Sequence, residues 1–121
     1  GRVDDVRAWM RRASLLVAVG DREGHPNAVL EAALEGTPLL LLDTPAFREL
    51  FDDRSALFVP SRAPGTLQAA ILSAMDDATT RKCRTGPARA VAARFTVQAM
   101  VDAYLDLYDA VLRQQEARFR R

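Results

Sequence analysis

The stretch TPLLLLDT at residues 37–44 narrows the possible folds more than any other part of the sequence. Its leucines follow neither a helical nor an alternating period, and a short unbroken apolar run bounded by polar residues suits a strand covered on both faces. SLLVAVG at 14–20 has the same character and ends in glycine, while Leu57, Phe58 and Val59 make a third, shorter run before Pro60. Such strands belong to parallel sheets, which need helical crossovers between them.

The intervening segments supply those helices. Val3, Val6, Trp9, Met10 and Ala13 recur at helical spacing, with Asp4 and Asp5 near the start and Arg7, Arg11 and Arg12 toward the end, as the helix dipole favours. After the DREGHP turn, Pro26 suits a first helical turn and NAVLEAALEG runs to Gly36, a good stop residue. PAFRELF predicts a short helix and DDRS a surface turn; Pro64 opens a helix with Leu67, Ala70, Ile71, Ala74 and Met75 on one face. TTRKCRTGPARAVAARF is interrupted by Gly86-Pro87 and reads as two short helices or one kinked helix. Thr96 caps a long final helix whose predicted buried stripe is Val97, Met100, Val101, Tyr104, Tyr108, Val111 and Leu112. Trp9, Tyr104 and Tyr108 read as core. The sum is an α/β fold: a three-layer Rossmann-like half-domain of about three parallel strands with helices on both faces.

Composition excludes several classes of function. The 121 residues make one domain at most, and 49% hydrophobic content is enough for a core. Seventeen basic against sixteen acidic side chains give no overall field to attract nucleic acid. Cys83 has no partner for an internal disulfide, which fits a reducing compartment, and His25 is the sole histidine, so no metal-ligand set is expected. The longest uncharged run falls far short of the roughly 18 residues a membrane span needs, and no basic-then-apolar leader opens the sequence.

In open α/β sheets ligands sit at the carboxyl ends of the strands, here the loops after Val19 and Leu42. The first of these is EGHPNAVLEA, residues 23–32. The helix N-terminus at Gly24 to Ala28 offers unpaired amides and partial positive charge to an anion, and Gly24 lets the backbone come close. Glu31, one turn further in, has the chemistry to accept two hydrogen bonds from vicinal hydroxyls, and Glu23 can accept from a sugar beside the phosphate. The same residues also read as structure. Asn27, Glu31 and Glu35 follow at spacings of four and form the solvent stripe of an amphipathic helix; Glu23 is then a loop carboxylate near a helix N-terminus, and His25 a turn residue with no assignable partner for catalysis. Arg81, Lys82, Arg84, Arg89 and Arg94 read most simply as a solvated face, with attraction to an anionic membrane surface as a second reading. Asp43, at the carboxyl end of a strand, is either a helix cap or a ligand-site residue.

The spacing of Glu23 and Glu31 resembles the E-x7-E motif of retaining glycosyltransferases of the GT-B fold, family 4, the group 1 glycosyltransferases. The similarity runs on through EGHPNAVLEAALEGTPLLLLDTPAFREL, LFVP, the helix from Pro64, GPARAVAARF and MVDAYLDLYDAVL, from about Gly1 to Leu112. It implies that Glu31 binds the ribose hydroxyls of a nucleotide-sugar donor and that Glu23, in the catalytic position, contacts the transferred sugar. Gly24, His25, Pro26 and Asn27 then lie near the sugar and diphosphate. It implies no resident metal or cofactor, the nucleotide-sugar being substrate, and a cytoplasmic location with attachment to the inner membrane face allowed.

Two departures qualify these implications. The family's Gly-Gly after the second strand's Asp is Pro45-Ala46 here, which removes a donor N–H and adds a Cβ, and Arg48 stands where the family has proline, offering charge to the diphosphate in compensation. The resemblance also maps residues 1–121 onto the carboxyl-terminal part of the donor domain, so an amino-terminal acceptor domain is the expected partner and the segment alone is expected to be inactive. The final helix commonly crosses back to that domain in the family. An exposed sheet edge offers a route to dimers. The alternative is a non-catalytic, glycosyltransferase-like interaction module.

Overall fold

The computed structural model describes residues 3–21 and 24–119. Its elements are α1 (Val6–Arg12), β1 (Leu16–Ala18), α2 (Asn27–Glu35), β2 (Leu39–Leu42), α3 (Pro45–Leu50), β3 (Leu57–Val59), α4 (Pro64–Asp76), α5 (Ala78–Ala92) and α6 (Val97–Phe119). The three strands form one parallel sheet in the order β1-β2-β3, flanked by helices, as the apolar runs predict. Leu39, Leu40, Leu41 and Leu42 are all buried, so β2 is covered on both faces and paired along both edges. Phe47 and Phe51 from α3 and its end, Val59 from β3, and Ala32 and Ala33 from α2 complete the core.

β1 departs from the expectation of a strand buried on both faces: Val17 is 37% exposed and its neighbours only half-buried. It is an outer strand, paired only with β2, and helix cover reaches one of its faces better than the other. Trp9 departs further, at 69% exposed. Asp5 caps α1 by accepting from the Ala8 amide at 2.9 Å, and the helix buries Met10, not Trp9, toward α2. Thr37 Oγ1 donates to the Met10 carbonyl at 2.6 Å. Arg11 pairs with Glu35 of α2 at 2.9 Å, and Arg7 approaches the same carboxylate at 3.8 Å.

The basic segment forms one helix, α5, which continues through Pro87. Pro87 has no N–H to donate to the Cys83 carbonyl, yet contacts on both sides hold the helix together. Lys82, Arg89 and Arg94 are exposed, as a solvated face would have them, but the helix's three arginines also reach backbone carbonyls. Arg81 Nη1 donates to the carbonyls of Ala74 and Met75 at the end of α4, Arg84 Nε donates to the Asp53 carbonyl at 2.8 Å, and Arg89 Nε donates to the Leu34 carbonyl at 2.9 Å. These carbonyls include ones that helix ends leave unpaired. Gly36, the C-cap of α2 at φ 81°, completes the last contact: a Cβ there would lie 2.8 Å from Arg89 Nη2. The left-handed backbone is what asks for glycine at this position; the guanidinium tip of Arg89 would only have to shift.

Thr96 caps α6, accepting from the Ala99 amide at 3.1 Å, as the sequence predicts. The stripe it carries is another matter. Val97, Met100, Val101, Tyr104, Tyr108, Val111 and Leu112 are all exposed, together with Leu105 and Leu107. Helical periodicity identifies the apolar face correctly, but no element among the described residues covers it. No helix among the described residues is long and apolar enough to cross a membrane.

These burials separate two substitutions that look alike in the sequence. Leu41→Ala is expected to cost about 3 kcal/mol, whereas Trp9→Ala should stay within about 0.5 kcal/mol of the parent. Urea unfolding of the two variants checks both, and a Trp9 variant destabilised as much as the Leu41 variant would place Trp9 in the core after all.

Candidate functional site

The carboxyl ends of the strands bring together the loops after Ala18, Leu42 and Val59, with the Asp43 amide donating to the Val59 carbonyl at 2.9 Å. α2 enters this region with Pro26 as its N-cap and no side-chain cap. Pro26 is buried and sits one residue before the helix, not in its first turn. The Val29 and Leu30 amides donate to the Pro26 carbonyl, and Asn27 to the His25 carbonyl. Gly24, His25 and Asn27 are exposed. A Cβ built on Gly24 would meet nothing within 4 Å. Packing therefore does not ask for glycine there. His25 packs against Phe95, at the start of the α5–α6 connection, with ring centroids 5.4 Å apart. Glu23 lies outside the described residues.

Glu31 and Glu35 part company in the structure. Glu35 is held by Arg7 and Arg11 and its side chain is only 17% exposed, so it is an α1–α2 tie. Glu31, one turn nearer the N-terminus, is exposed and forms no ion pair among the described residues. A uniform solvent stripe does not describe the pair.

The loop after β2 is built around Arg48. Thr44, not Asp43, caps α3, accepting from the Phe47 amide at 3.5 Å. Asp43 instead receives Arg48 Nε and Nη2 at 2.8 and 2.9 Å, a two-pronged pair, while Arg48 Nη1 donates to Asp53 at 2.9 Å. The guanidinium also lies over the Phe58 ring, 3.5 Å from its centroid. Every terminal nitrogen of Arg48 thus has a carboxylate partner. Hydrogen bonding from Arg48, reinforced by its charge, holds the Asp43 carboxyl below its ordinary range, and the bonds to Asp43 and Asp53 push the Arg48 pKa up. Arg48 further lines an open cavity of about 480 Å³ with Glu49, Arg54, Pro87, Val91 and Arg94. That cavity is lined by none of Gly24 to Asn27 or Glu31. Among the described residues, no three His, Cys, Asp or Glu side chains gather as a metal site would require.

A second ion pair was hidden from sequence reasoning: Arg62, after β3, reaches Asp21, after β1, at 2.8 Å. Separated by 41 residues, the two carry no local signal of each other.

A family model described as "Glycosyl transferases group 1" matches residues 1–77. No curated protein matches the chain. Among solved structures, sucrose-phosphate synthase from Thermosynechococcus elongatus superposes with a TM-score of 0.75 at 19% identity, over 88% of this chain and 27% of that one. The likeness is one of fold.

The Asp43–Arg48 pair makes a pH prediction of definite sign. With the folded pKa of Asp43 below its unfolded value, the pair's contribution is present above the unfolded value and is lost as pH falls through the folded one. Arg48→Ala should raise the Asp43 pKa toward the ordinary about 3.9, read from its carboxyl carbon in an NMR pH titration. An unchanged Asp43 pKa in the variant would show that Arg48 is not its cause.

Proposed function

The chain belongs to the group 1 glycosyl transferases, and from that premise we propose that it forms the donor-binding half of a retaining GT-B enzyme that transfers a sugar from a nucleotide-sugar. The observation that carries this is the state of Glu31: a carboxylate without an ion-pair partner among the described residues, exposed on α2, one turn from an uncapped helix N-terminus at the carboxyl end of a parallel sheet. In this reading Glu31 accepts from the two ribose hydroxyls, and Glu23, eight residues earlier, contacts the transferred sugar. Gly24, His25, Pro26 and Asn27 shape the passage for sugar and diphosphate, with backbone amides at the start of α2 facing the phosphates. The glycine at 24 supports it, because open space around that backbone is space a ligand can enter.

The task of such a site is positioning, together with stabilising the diphosphate as it leaves. Arg48 contributes at most indirectly, since a phosphate approaching it competes with Asp43 and Asp53. The exposed stripe of α6 and the outer edge of β1 are the surfaces that the remainder of a larger enzyme would cover, and the cytoplasm or its membrane face is where nucleotide-sugars would meet it. The same features favour a second reading, a glycosyl transferase-like interaction module: Pro45-Ala46 and a neutralised Arg48 remove phosphate contacts, and α6 offers a broad apolar surface.

Titration of the ¹⁵N-labelled chain with UDP, GDP and ADP separates the two. Weak binding of one nucleotide is expected, abolished in Glu31→Ala and weakened in Gly24→Ala while the melting temperature of the glycine variant is retained. A folded chain that binds none of the three, or binds equally well without Glu31, overturns the donor reading and leaves the interaction module.

A further inference from the structure

α2 and α5 pack against each other through small residues. Ala32 and Ala33 of α2 and Ala88 and Ala92 of α5 are buried in the same core cluster, and short side chains let two helices approach closely. A tie stands at each end of α2. At its carboxyl end Arg89 Nε donates to the Leu34 carbonyl at 2.9 Å. At its amino end Phe95, just past α5, packs on His25, with ring centroids 5.4 Å apart and planes inclined by 57°. That spacing and tilt are ones at which ring edges and faces attract.

The backbone beneath each ring is fixed. Pro26, next to His25, is buried and its carbonyl accepts from the Val29 and Leu30 amides, while the His25 carbonyl accepts from Asn27. On the other side, the Arg94 and Phe95 amides donate to the Val91 and Ala92 carbonyls, and Thr96 caps α6. These bonds leave the imidazole free to turn about its own side-chain torsions. His25 is exposed, and among the described residues the Phe95 ring is what the imidazole rests on. Gly24 beside it faces open space, where a Cβ would meet nothing within 4 Å. Consecutive Cα atoms are only about 3.8 Å apart, so a ring freed from Phe95 can turn into that space.

We infer that Phe95 is a positioning residue: it holds the His25 imidazole against the α5–α6 connection and away from the open space beside Gly24. For its use in ligand binding the inference rests on the donor-binding reading, but the holding itself is tested without a nucleotide. His25 is the sole histidine, so its ring signals in an NMR spectrum are unambiguous. Nuclear Overhauser contacts between the His25 and Phe95 ring protons are expected in the parent chain, and their absence overturns the inference with no variant needed. The order parameter of the His25 ring carbons is expected to fall below about 0.6 in Phe95→Leu and to keep its parent value in Phe95→Tyr. A His25 ring as ordered in Phe95→Leu as in the parent also overturns it. Affinity for whichever of UDP, GDP or ADP binds is expected to drop about two- to tenfold in Phe95→Leu, and Phe95→Tyr should restore it. Made on a His25→Ala background, Phe95→Leu should cost no further affinity, because no ring is left to hold. Equal losses in both backgrounds overturn action through His25. A parent chain that binds none of the three overturns the donor reading alone, because the ring contacts and ring relaxation decide the positioning by themselves.

Discussion

The burial of β2 is the constraint on which everything else in this structure depends. Four consecutive leucines can all leave water only if the strand is paired on both edges and covered on both faces, and each fully buried leucine is worth about 1.5–3 kcal/mol. That demand places β1 and β3 on either side, parallel because their connections run through helices, and it requires helix cover above and below. The carboxyl ends of the three strands are thereby brought to one edge. The candidate site exists there because β2 has to be buried, and α2 points its N-terminus at that edge because it is the crossover between β1 and β2.

A core of leucine and alanine fixes the layers but is less specific about where helices end. α5 supplies that specificity with charge. Arg81, Arg84 and Arg89 send guanidinium groups to carbonyls at the end of α4, in the connection before β3 and at the end of α2. A positive donor at a helix C-terminus satisfies groups the helix cannot satisfy itself and complements its dipole. Lysine would bring a single point charge, whereas the planar arginine fork can serve more than one acceptor, as Arg84 does with Nε on the Asp53 carbonyl and Nη1 on the Thr80 carbonyl. Tying α2 to α5 at Leu34 also steadies the helix that carries Glu31.

Much of this was legible in the residues. The apolar runs at 14–20, 37–44 and 57–59 declare a parallel sheet, and Gly36 and Thr96 act as a stop and a cap in the way their chemistry suggests. What failed to read true has a common physical cause. Periodicity reports which face of a helix is apolar, not whether anything covers it, so Trp9 and the α6 stripe read as core and stand exposed. Side-chain partnerships between distant residues leave no trace in local spacing either. Arg89 with Leu34, Arg62 with Asp21, and the split between Glu31 and Glu35 are products of the tertiary arrangement. Asp43 was open between cap and site because both roles suit a carboxylate at a strand end, and Thr44 beside it took the cap.

The pairing of charges at the site edge has a consequence for how a ligand would be held. Asp21 is matched by Arg62, and Asp43 and Asp53 by Arg48, so these two arginines are already spent on carboxylates of the same chain. A phosphate arriving here meets no free guanidinium in those two pairs; the attraction that the backbone amides and dipole of α2 offer acts at short range and resists screening less than a buried charge would. Glu31, by contrast, has no ion-pair partner among the described residues, and an exposed carboxylate can accept from hydroxyl donors. Under the proposed donor-binding reading, recognition would run through neutral hydroxyls more than through charge.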